Sequence, residues 1–87
     1  MSSSQLGKES LVVEVTNISA NGIWILVNDE ELFLAHEEFP WFRQAILEQV
    51  LDVEQVSPGH LYWPQLDIDL GLNTIREPQR FLLKAAV

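Results

Sequence analysis

The run Ile23-Trp24-Ile25-Leu26-Val27, which has a turn signal at each end, constrains the fold more than any other feature of the sequence. Every position in this run is apolar, so the alternation of a half-buried strand is missing and both faces are expected to be covered. The Asn21-Gly22 pair before it tolerates the positive φ angles of tight turns, and residues 28–31 after it form a polar turn. The run is therefore predicted to be the central strand of a meander.

Shorter patterns on both sides supply its neighbours. Leu11, Val13 and Val15 alternate with other residues at a period of two, which predicts a first strand with these three side chains on its buried face. Residues 32–35 are short and apolar and predict a third strand. The first half of the chain is thus expected to be a three-stranded antiparallel unit.

Pro40 marks the strongest helix start, because its missing N–H is not needed at the first helical position. Glu37 and Glu38 precede it, where carboxylates favour the positive end of the helix dipole. The apolar residues that follow recur at steps of three and four, at Phe39, Phe42, Ile46 and Val50. This spacing predicts one amphipathic helix of about three turns, ending near Leu51.

Two further strands are predicted after the helix, over residues 51–56 and 60–63, with the turn signal Ser57-Pro58-Gly59 between them. Residues 66–70 alternate apolar and acidic side chains, which predicts a half-buried segment and leaves open whether it forms a strand of its own. A helical turn is expected over residues 72–76.

Strands in blocks, with no regular alternation of strand and helix, predict an α+β fold with a mainly antiparallel sheet. The expected order is β-β-β-α-β-β, with one central helix and a short C-terminal helical turn. We expect residues 1–10 to be disordered, residues 11–77 to form a single domain, and residues 78–87 to form an apolar C-terminal tail with a basic fringe.

Charge and composition narrow the classes of function. Thirteen acidic residues stand against five basic ones, for a net charge of −8, and the basic residues are too scattered to form a stripe, so direct nucleic-acid binding is disfavoured. The acidity is explained either by solubility or by an acidic face that docks on a basic protein. Without cysteine or a run of ~20 apolar residues, the chain is expected to be cytoplasmic and not to enter a membrane.

Asp67 and Asp69 are the best candidates for chemistry. Two carboxylates at positions i and i+2 of one strand face can share a hard cation such as Mg²⁺ or Ca²⁺, but the same spacing also describes the solvent face of an alternating strand. His36 and His60 with Glu37 and Asp67 could make a zinc or acid–base site, although nothing in their spacing favours one. No catalytic residue or cofactor is assigned, which leaves enzymatic activity open but disfavoured.

Trp41 is the aromatic residue least explained by core packing. A helix that buries Phe39 and Phe42 turns residue 41 about 100° away from that face, toward solvent or a sheet edge. Trp is enriched at the energetic centres of protein interfaces, and Glu37 and Glu38 lie nearby in the sequence. These three residues are the candidate partner-binding set, with covering of the sheet edge as the alternative for Trp41.

The segment Gly59-His60-Leu61-Tyr62-Trp63-Pro64, followed by Leu66-Asp67-Ile68-Asp69-Leu70, resembles the bacterial family known as domain of unknown function 2442. The order of the predicted elements over residues 11–77 is similar as well. The resemblance implies a compact α+β fold of bacterial origin with no established activity. Some relatives are encoded beside a second small protein, in pairs that look like toxin–antitoxin modules.

Three hypotheses of function follow. The first is a non-enzymatic protein-interaction module, paired with the product of an adjacent gene in an antitoxin-like way. The second is a small metal-dependent or carboxylate-based enzyme that uses Asp67 and Asp69. The third is self-association as a homodimer, through an unpaired edge strand or through residues 81–87.

Overall fold

Residues 11–81 are described by the computed structural model of the chain, and they form six strands with short helical segments. The strands are β1 (Val13–Ser19), β2 (Gly22–Val27), β3 (Glu30–Ala35), β4 (Glu54–Ser57), β5 (His60–Trp63) and β6 (Ile68–Gly71). The helical segments are a 3₁₀ turn (Pro40–Phe42), α1 (Leu47–Leu51), α2 (Leu72–Arg76) and α3 (Pro78–Phe81). The predicted α+β class with antiparallel strand pairing is confirmed, and so is the helical turn over residues 72–76.

β1, β2 and β3 form the first of two three-stranded sheets, with β2 in the middle as predicted. Asn28 and Asp29 join β2 to β3 with φ values of 50° and 72°, the pattern of a two-residue type I′ hairpin. At the other end of β2, a Cβ atom on Gly22 would lie 2.3 Å from the backbone oxygen of Leu34. Glycine is therefore required where β2 leaves the first turn, because β3 approaches too closely for any side chain.

The expectation that both faces of β2 are covered is only half correct. Ile23, Ile25 and Val27 are fully buried on the inner face. Trp24 lies on the outer face, packs against Phe33 of β3 with ring centroids 4.9 Å apart, and stays 37% exposed. The outer face of the first sheet therefore carries an aromatic pair that the described residues leave partly open to solvent.

The first strand also starts later than predicted. β1 begins at Val13, and Val13 and Val15 are half-buried as expected, but Leu11 lies outside the strand and is exposed. A register shift between Val15 and Asn17 marks a β-bulge in β1, which ends the simple period of two.

The predicted three-turn helix is wrong. The segment divides into the 3₁₀ turn and α1, and Ile46 between them has an extended backbone and an exposed side chain. Gln49 Oε1 accepts a hydrogen bond from the Ile46 N–H at 3.1 Å, which satisfies a donor at a new helix start. This second start lets Phe42 and Val50 both reach the core without lying on one continuous helical face.

β4, β5 and β6 form the second sheet in that order. β4 begins at Glu54, because residue 51 ends α1, and its buried residue is Gln55 while Val56 is exposed. The strand predicted over residues 51–56 is therefore wrong in extent, and the side chain that it buries is polar. Residues 66–70 do contain a strand, but it starts at Ile68.

The core lies between the sheets and draws on both of them. Its buried hydrophobic members are Ile23, Ile25, Val27, Leu34, Phe39, Phe42, Val50, Leu61, Trp63, Ile68, Leu70 and Ile75. Trp63 is fully buried, its indole N–H donates to the Val50 backbone oxygen at 2.9 Å, and its ring meets Phe42 edge-on at 4.8 Å. These contacts hold residues 40–51 against the second sheet.

Two of the predicted segments fall wholly or partly outside the described residues, namely residues 1–10, for which disorder is predicted, and the tail, of which residues 82–87 are not described. Among residues 11–81, no helix has the length and apolar character needed to cross a membrane.

Candidate functional site

A solvent-open groove of about 400 Å³ runs along β6, and we call it the Trp41 groove. It is lined by Trp41, Leu66, Asp67, Ile68, Asp69 and Leu70. Trp41 is 49% exposed, so it is not needed to fill the core. The structure thus brings together Trp41 and the two carboxylates, which the sequence offered as parts of two unrelated hypotheses.

The 3₁₀ turn explains the position of Trp41. Phe39 and Phe42, on either side of it, are both buried in the core. Trp41 stays outside the core, with its ring centroid 6.2 Å from that of Phe39. The buried neighbours therefore fix the backbone of this turn while the Trp41 indole remains available at the edge of the second sheet.

Glu37 and Glu38 lie in the turn that follows β3. The N–H groups of Glu38 and Phe39 both donate to the Ala35 backbone oxygen, at 3.0 and 2.8 Å. Glu37 is exposed and Glu38 is half-buried, and neither is among the described residues that line the Trp41 groove. Glu37, Glu38 and Trp41 are close to one another in the sequence, but of these predicted partner-binding residues only Trp41 lines the groove.

β6 is an edge strand, and its backbone defines one wall of the groove. The Leu72 N–H donates to the Gly59 oxygen at 3.0 Å, so Gly59 and Leu72 are a hydrogen-bonded pair. In the same register, Tyr62 lies opposite Asp69 at a non-hydrogen-bonded position. Hydrogen-bonded and non-hydrogen-bonded pairs alternate along an antiparallel ladder, so Asp69 directs its N–H and C=O away from β5. Within residues 11–81 no strand pairs with that side of β6.

The outer face of the second sheet is acidic around Tyr62. Partial burial raises the pKa of Tyr62 above its ordinary value, and the nearby charges of Asp67, Asp69 and Glu54 raise this pKa further. The Tyr62 hydroxyl also donates to Asp67 Oδ1 at 3.4 Å, which favours the protonated phenol. The rim of the groove is thus a region of negative potential, which suits a cationic ligand.

Asp67 and Asp69 do not share a strand face as proposed from the sequence. Asp67 lies in the turn before β6 with a φ of 54°, while Asp69 is a residue of β6 whose exposed carboxylate contacts His60 Nε2. Asp residues adopt this left-handed conformation more readily than most. The two carboxylates line the same groove but are held by different local structures.

The histidines lie at different places. His60 is on the outer face of the second sheet with Asp69, whereas His36 is buried at a second cavity of about 290 Å³ beside the β1–β2 turn. His36 Nδ1 has no hydrogen-bond partner among the described residues. Over residues 11–81, no group of three or more His, Asp or Glu side chains is placed to hold a metal ion.

Gln55 is the polar residue that sequence reasoning missed. It is 5% exposed, and its side-chain oxygen accepts from the Gly59 N–H at 2.9 Å while its nitrogen donates to the Val12 oxygen at 3.1 Å. Its place in a short predicted strand gives no signal in the sequence that the side chain is buried. It holds the hairpin that carries β5, and through it β6, against the first sheet.

Comparisons with known proteins place the chain in a family but give it no activity. The sequence matches the family described as Protein of unknown function (DUF2442) over residues 12–81. No curated protein and no solved structure matches it.

Proposed function

The chain belongs to the DUF2442 family of proteins of unknown function, and from that premise we propose that it is a non-enzymatic protein-interaction module whose partner docks at the Trp41 groove. The observation that carries this proposal is the half-exposed Trp41 beside two carboxylates in one groove. Trp side chains supply large contact area at the energetic centres of interfaces.

Charge defines the kind of partner. The chain carries a net charge of −8, and Asp67 and Asp69 add local negative charge at the groove. Glu37 and Glu38 do not line the groove, but they add negative charge to the segment that carries Trp41. A protein with a basic face is attracted to such a surface, while a nucleic-acid backbone is repelled.

The family resemblance favours a specific source for this partner. We place the chain in the bacterial cytoplasm and assign it the antitoxin-like role, with the product of an adjacent gene as its partner. Small acidic domains that neutralise a basic partner need no catalytic residues, which agrees with a role by binding alone.

In-cell photo-crosslinking tests the proposal. A photo-reactive phenylalanine analogue replaces Trp41 in one version of the chain and Trp24 in another, since Trp24 is also partly exposed but lies on the other sheet. In the cells that encode the chain, we expect one dominant protein adduct from position 41 and no such adduct from position 24. The same adduct should form when the chain is mixed with the purified product of the adjacent gene. Equal adducts at both positions, or none at position 41, would contradict a docking role for the groove.

The second candidate function is the carboxylate-based or metal-dependent enzyme. Its support is that Asp67 and Asp69 line one groove. It ranks below the interaction module because, among the described residues, no three His, Asp or Glu side chains are placed together to hold a metal ion. Calorimetric titration with Mg²⁺, Ca²⁺ and Mn²⁺ at millimolar concentration tests it, and heat of binding that Asp69→Asn removes would move this candidate to first place.

A further inference from the structure

The edge of β6 that pairs with no strand among residues 11–81 offers main-chain hydrogen-bonding groups to a partner. The inference drawn from it rests on the proposed function. We propose that the partner contributes an extended, lysine- or arginine-containing segment that adds to the second sheet as a fourth strand, paired with β6 along the Trp41 groove. Strand addition of this kind draws affinity from main-chain hydrogen bonds and specificity from alternate side chains.

Main-chain groups are available for this pairing. Asp69 directs both its N–H and its C=O toward the groove, because the hydrogen-bonded positions of the β5–β6 ladder fall at Leu61 with Leu70 and Trp63 with Ile68. Gly71, two residues further on, directs its N–H to the same side. An added strand would therefore find a donor and an acceptor at Asp69 and a further donor at Gly71.

Side chains on the two faces of an added strand would meet different surfaces. On the outer face lie the carboxylate of Asp69 and, beside Tyr62, that of Asp67. On the other side the added strand passes Trp41 and the half-buried Leu66. Since successive side chains of a strand alternate between faces, the segment should alternate basic and apolar residues.

The same charges argue against a second copy of this chain as the occupant. Antiparallel pairing of two β6 edges would bring Asp69 near its counterpart, and Asp67 would add to the repulsion. Like charges facing each other across a strand pair are destabilising. Acidic side chains on an open edge are also a known protection against self-association. The β6 edge is thus expected to repel the β6 edge of a second copy and to attract a basic strand.

Selection from a random dodecapeptide library displayed on phage, with the full chain as the bait, tests the inference without a known partner. We expect enriched peptides in which Lys or Arg alternates with apolar residues. Trp41→Ala should weaken the binding of a synthetic enriched peptide by about tenfold, whereas Trp24→Ala should leave it unchanged. Enrichment of no sequence, or of acidic sequences, would overturn the proposal.

Main-chain pairing is tested with two N-methylated forms of an enriched peptide. Methylation of the alternate amides that face β6 removes the donors and should weaken binding at least about tenfold, while methylation of the other amides should have little effect. In the unmethylated complex, the amide protons of Asp69 and Gly71 should exchange with solvent at least about tenfold more slowly. Equal binding by the two methylated forms would rule out strand addition.

The outcomes separate this inference from the proposed function. If Trp41→Ala weakens peptide binding but the two methylated peptides bind equally, the groove is a docking site that does not use strand pairing. If crosslinking from position 41 also finds no partner, both proposals fail. Asp69→Asn tests whether the acidic rim causes the preference for basic residues, and Asp29→Asn on the other sheet is the matched charge control. Weaker peptide binding by the first variant alone identifies the rim as the cause. Light scattering that shows a dimer dissociated by the peptide would instead assign the edge to self-association.

Discussion

The side-chain amides of Asn28 and Gln55 exchange two hydrogen bonds, from Asn28 Nδ2 to Gln55 Oε1 and from Gln55 Nε2 to Asn28 Oδ1, each 3.2 Å long. Asn28 lies in the β2–β3 turn and Gln55 in β4, so this pair joins the two sheets. With its further bonds to Val12 and Gly59, the buried Gln55 amide uses both of its donors and both acceptor sites.

Replacement of Gln55 by leucine should therefore destabilise the domain. The change removes all hydrogen bonds of the buried Gln55 amide and leaves the half-buried Gly59 N–H without its partner, and loss of a partner away from solvent costs about 1–3 kcal/mol. Urea unfolding measures the free energy of unfolding. The matched control is Gln65→Leu, whose exposed amide makes one bond to Asp52 and should change stability by less than about 0.5 kcal/mol. An equal effect of both changes would contradict the role assigned to Gln55.

The elements that sequence reasoning found are those set by strong local signals. β2 begins at Gly22 and ends before the Asn28-Asp29 turn, and Pro58-Gly59 separates β4 from β5, as the turn residues predicted. These positions depend on backbone conformations that few residues adopt, so the local sequence is enough to specify them.

The errors arise where tertiary contacts override a local pattern. The period through Phe39, Phe42, Ile46 and Val50 suits one helix, but Gln49 caps a second start and Ile46 is left exposed. The buried face of β4 was missed because its inward residue is the polar Gln55, whose partners Val12 and Asn28 are distant in sequence. The Trp41 groove could not be predicted either, since it needs the position of residue 41 relative to β6.

Gly22→Ala should be strongly destabilising. The new Cβ would lie 2.3 Å from the Leu34 oxygen and 2.9 Å from the Ala35 Cα, both backbone atoms that cannot move without separating β2 from β3. Overpacking of this kind costs about 1–3 kcal/mol or more. Gly71→Ala is the control, because its Cβ would meet its nearest neighbour, the Gly59 oxygen, at an ordinary 3.9 Å. Thermal unfolding of the two variants should show a large loss for the first and a small change for the second.

Tyr62 is the only tyrosine of the chain, so the absorbance of its phenolate reports on the acidic rim directly. Its pKa should lie above the ordinary 10.0, and Asp67→Asn should lower it, because one negative charge is removed and the acceptor of the Tyr62 hydrogen bond becomes neutral. A pKa raised by folding stabilises the native state below the unfolded value, and this contribution is lost as the pH rises through the folded pKa. Stability should therefore fall in alkaline solution, and a spectroscopic titration in which Asp67→Asn leaves the midpoint in place would show that Asp67 does not act on Tyr62.

Glu30 and Arg76 form a two-point ion pair, with Arg76 Nη2 2.6 Å from Glu30 Oε1 and Nε 3.0 Å from Oε2. The hydrogen bonds from Arg76 lower the pKa of Glu30 below 4.5, and the charge of Arg76 lowers it further. The pair therefore stabilises the fold fully above pH 4.5, and its contribution is lost as the pH falls through the lowered pKa.

Glu30→Gln should accordingly reduce the unfolding temperature at neutral pH, and the difference from the unchanged chain should shrink in acid. Because both side chains are exposed, the effect should be small and should decrease with added salt. Glu31→Gln, the exposed neighbour in β3, is the control. A difference that persists unchanged below the lowered pKa would show that the pair is not its source.

Trp41 and Trp63 should respond to substitution in opposite ways, and this contrast decides how binding data are interpreted. Trp63 is fully buried and bonded to the Val50 oxygen, so Trp63→Phe leaves that oxygen unpaired beside a cavity and should cost about 2–4 kcal/mol. Trp41 is 49% exposed, so Trp41→Ala should cost no more than about 1 kcal/mol. If urea unfolding confirms this difference, a loss of partner binding in Trp41→Ala reflects a lost contact. If Trp41→Ala lowers the free energy of unfolding as much as Trp63→Phe does, then Trp41 is a structural residue that covers the sheet edge. The groove would then lack the main evidence that it is a docking site.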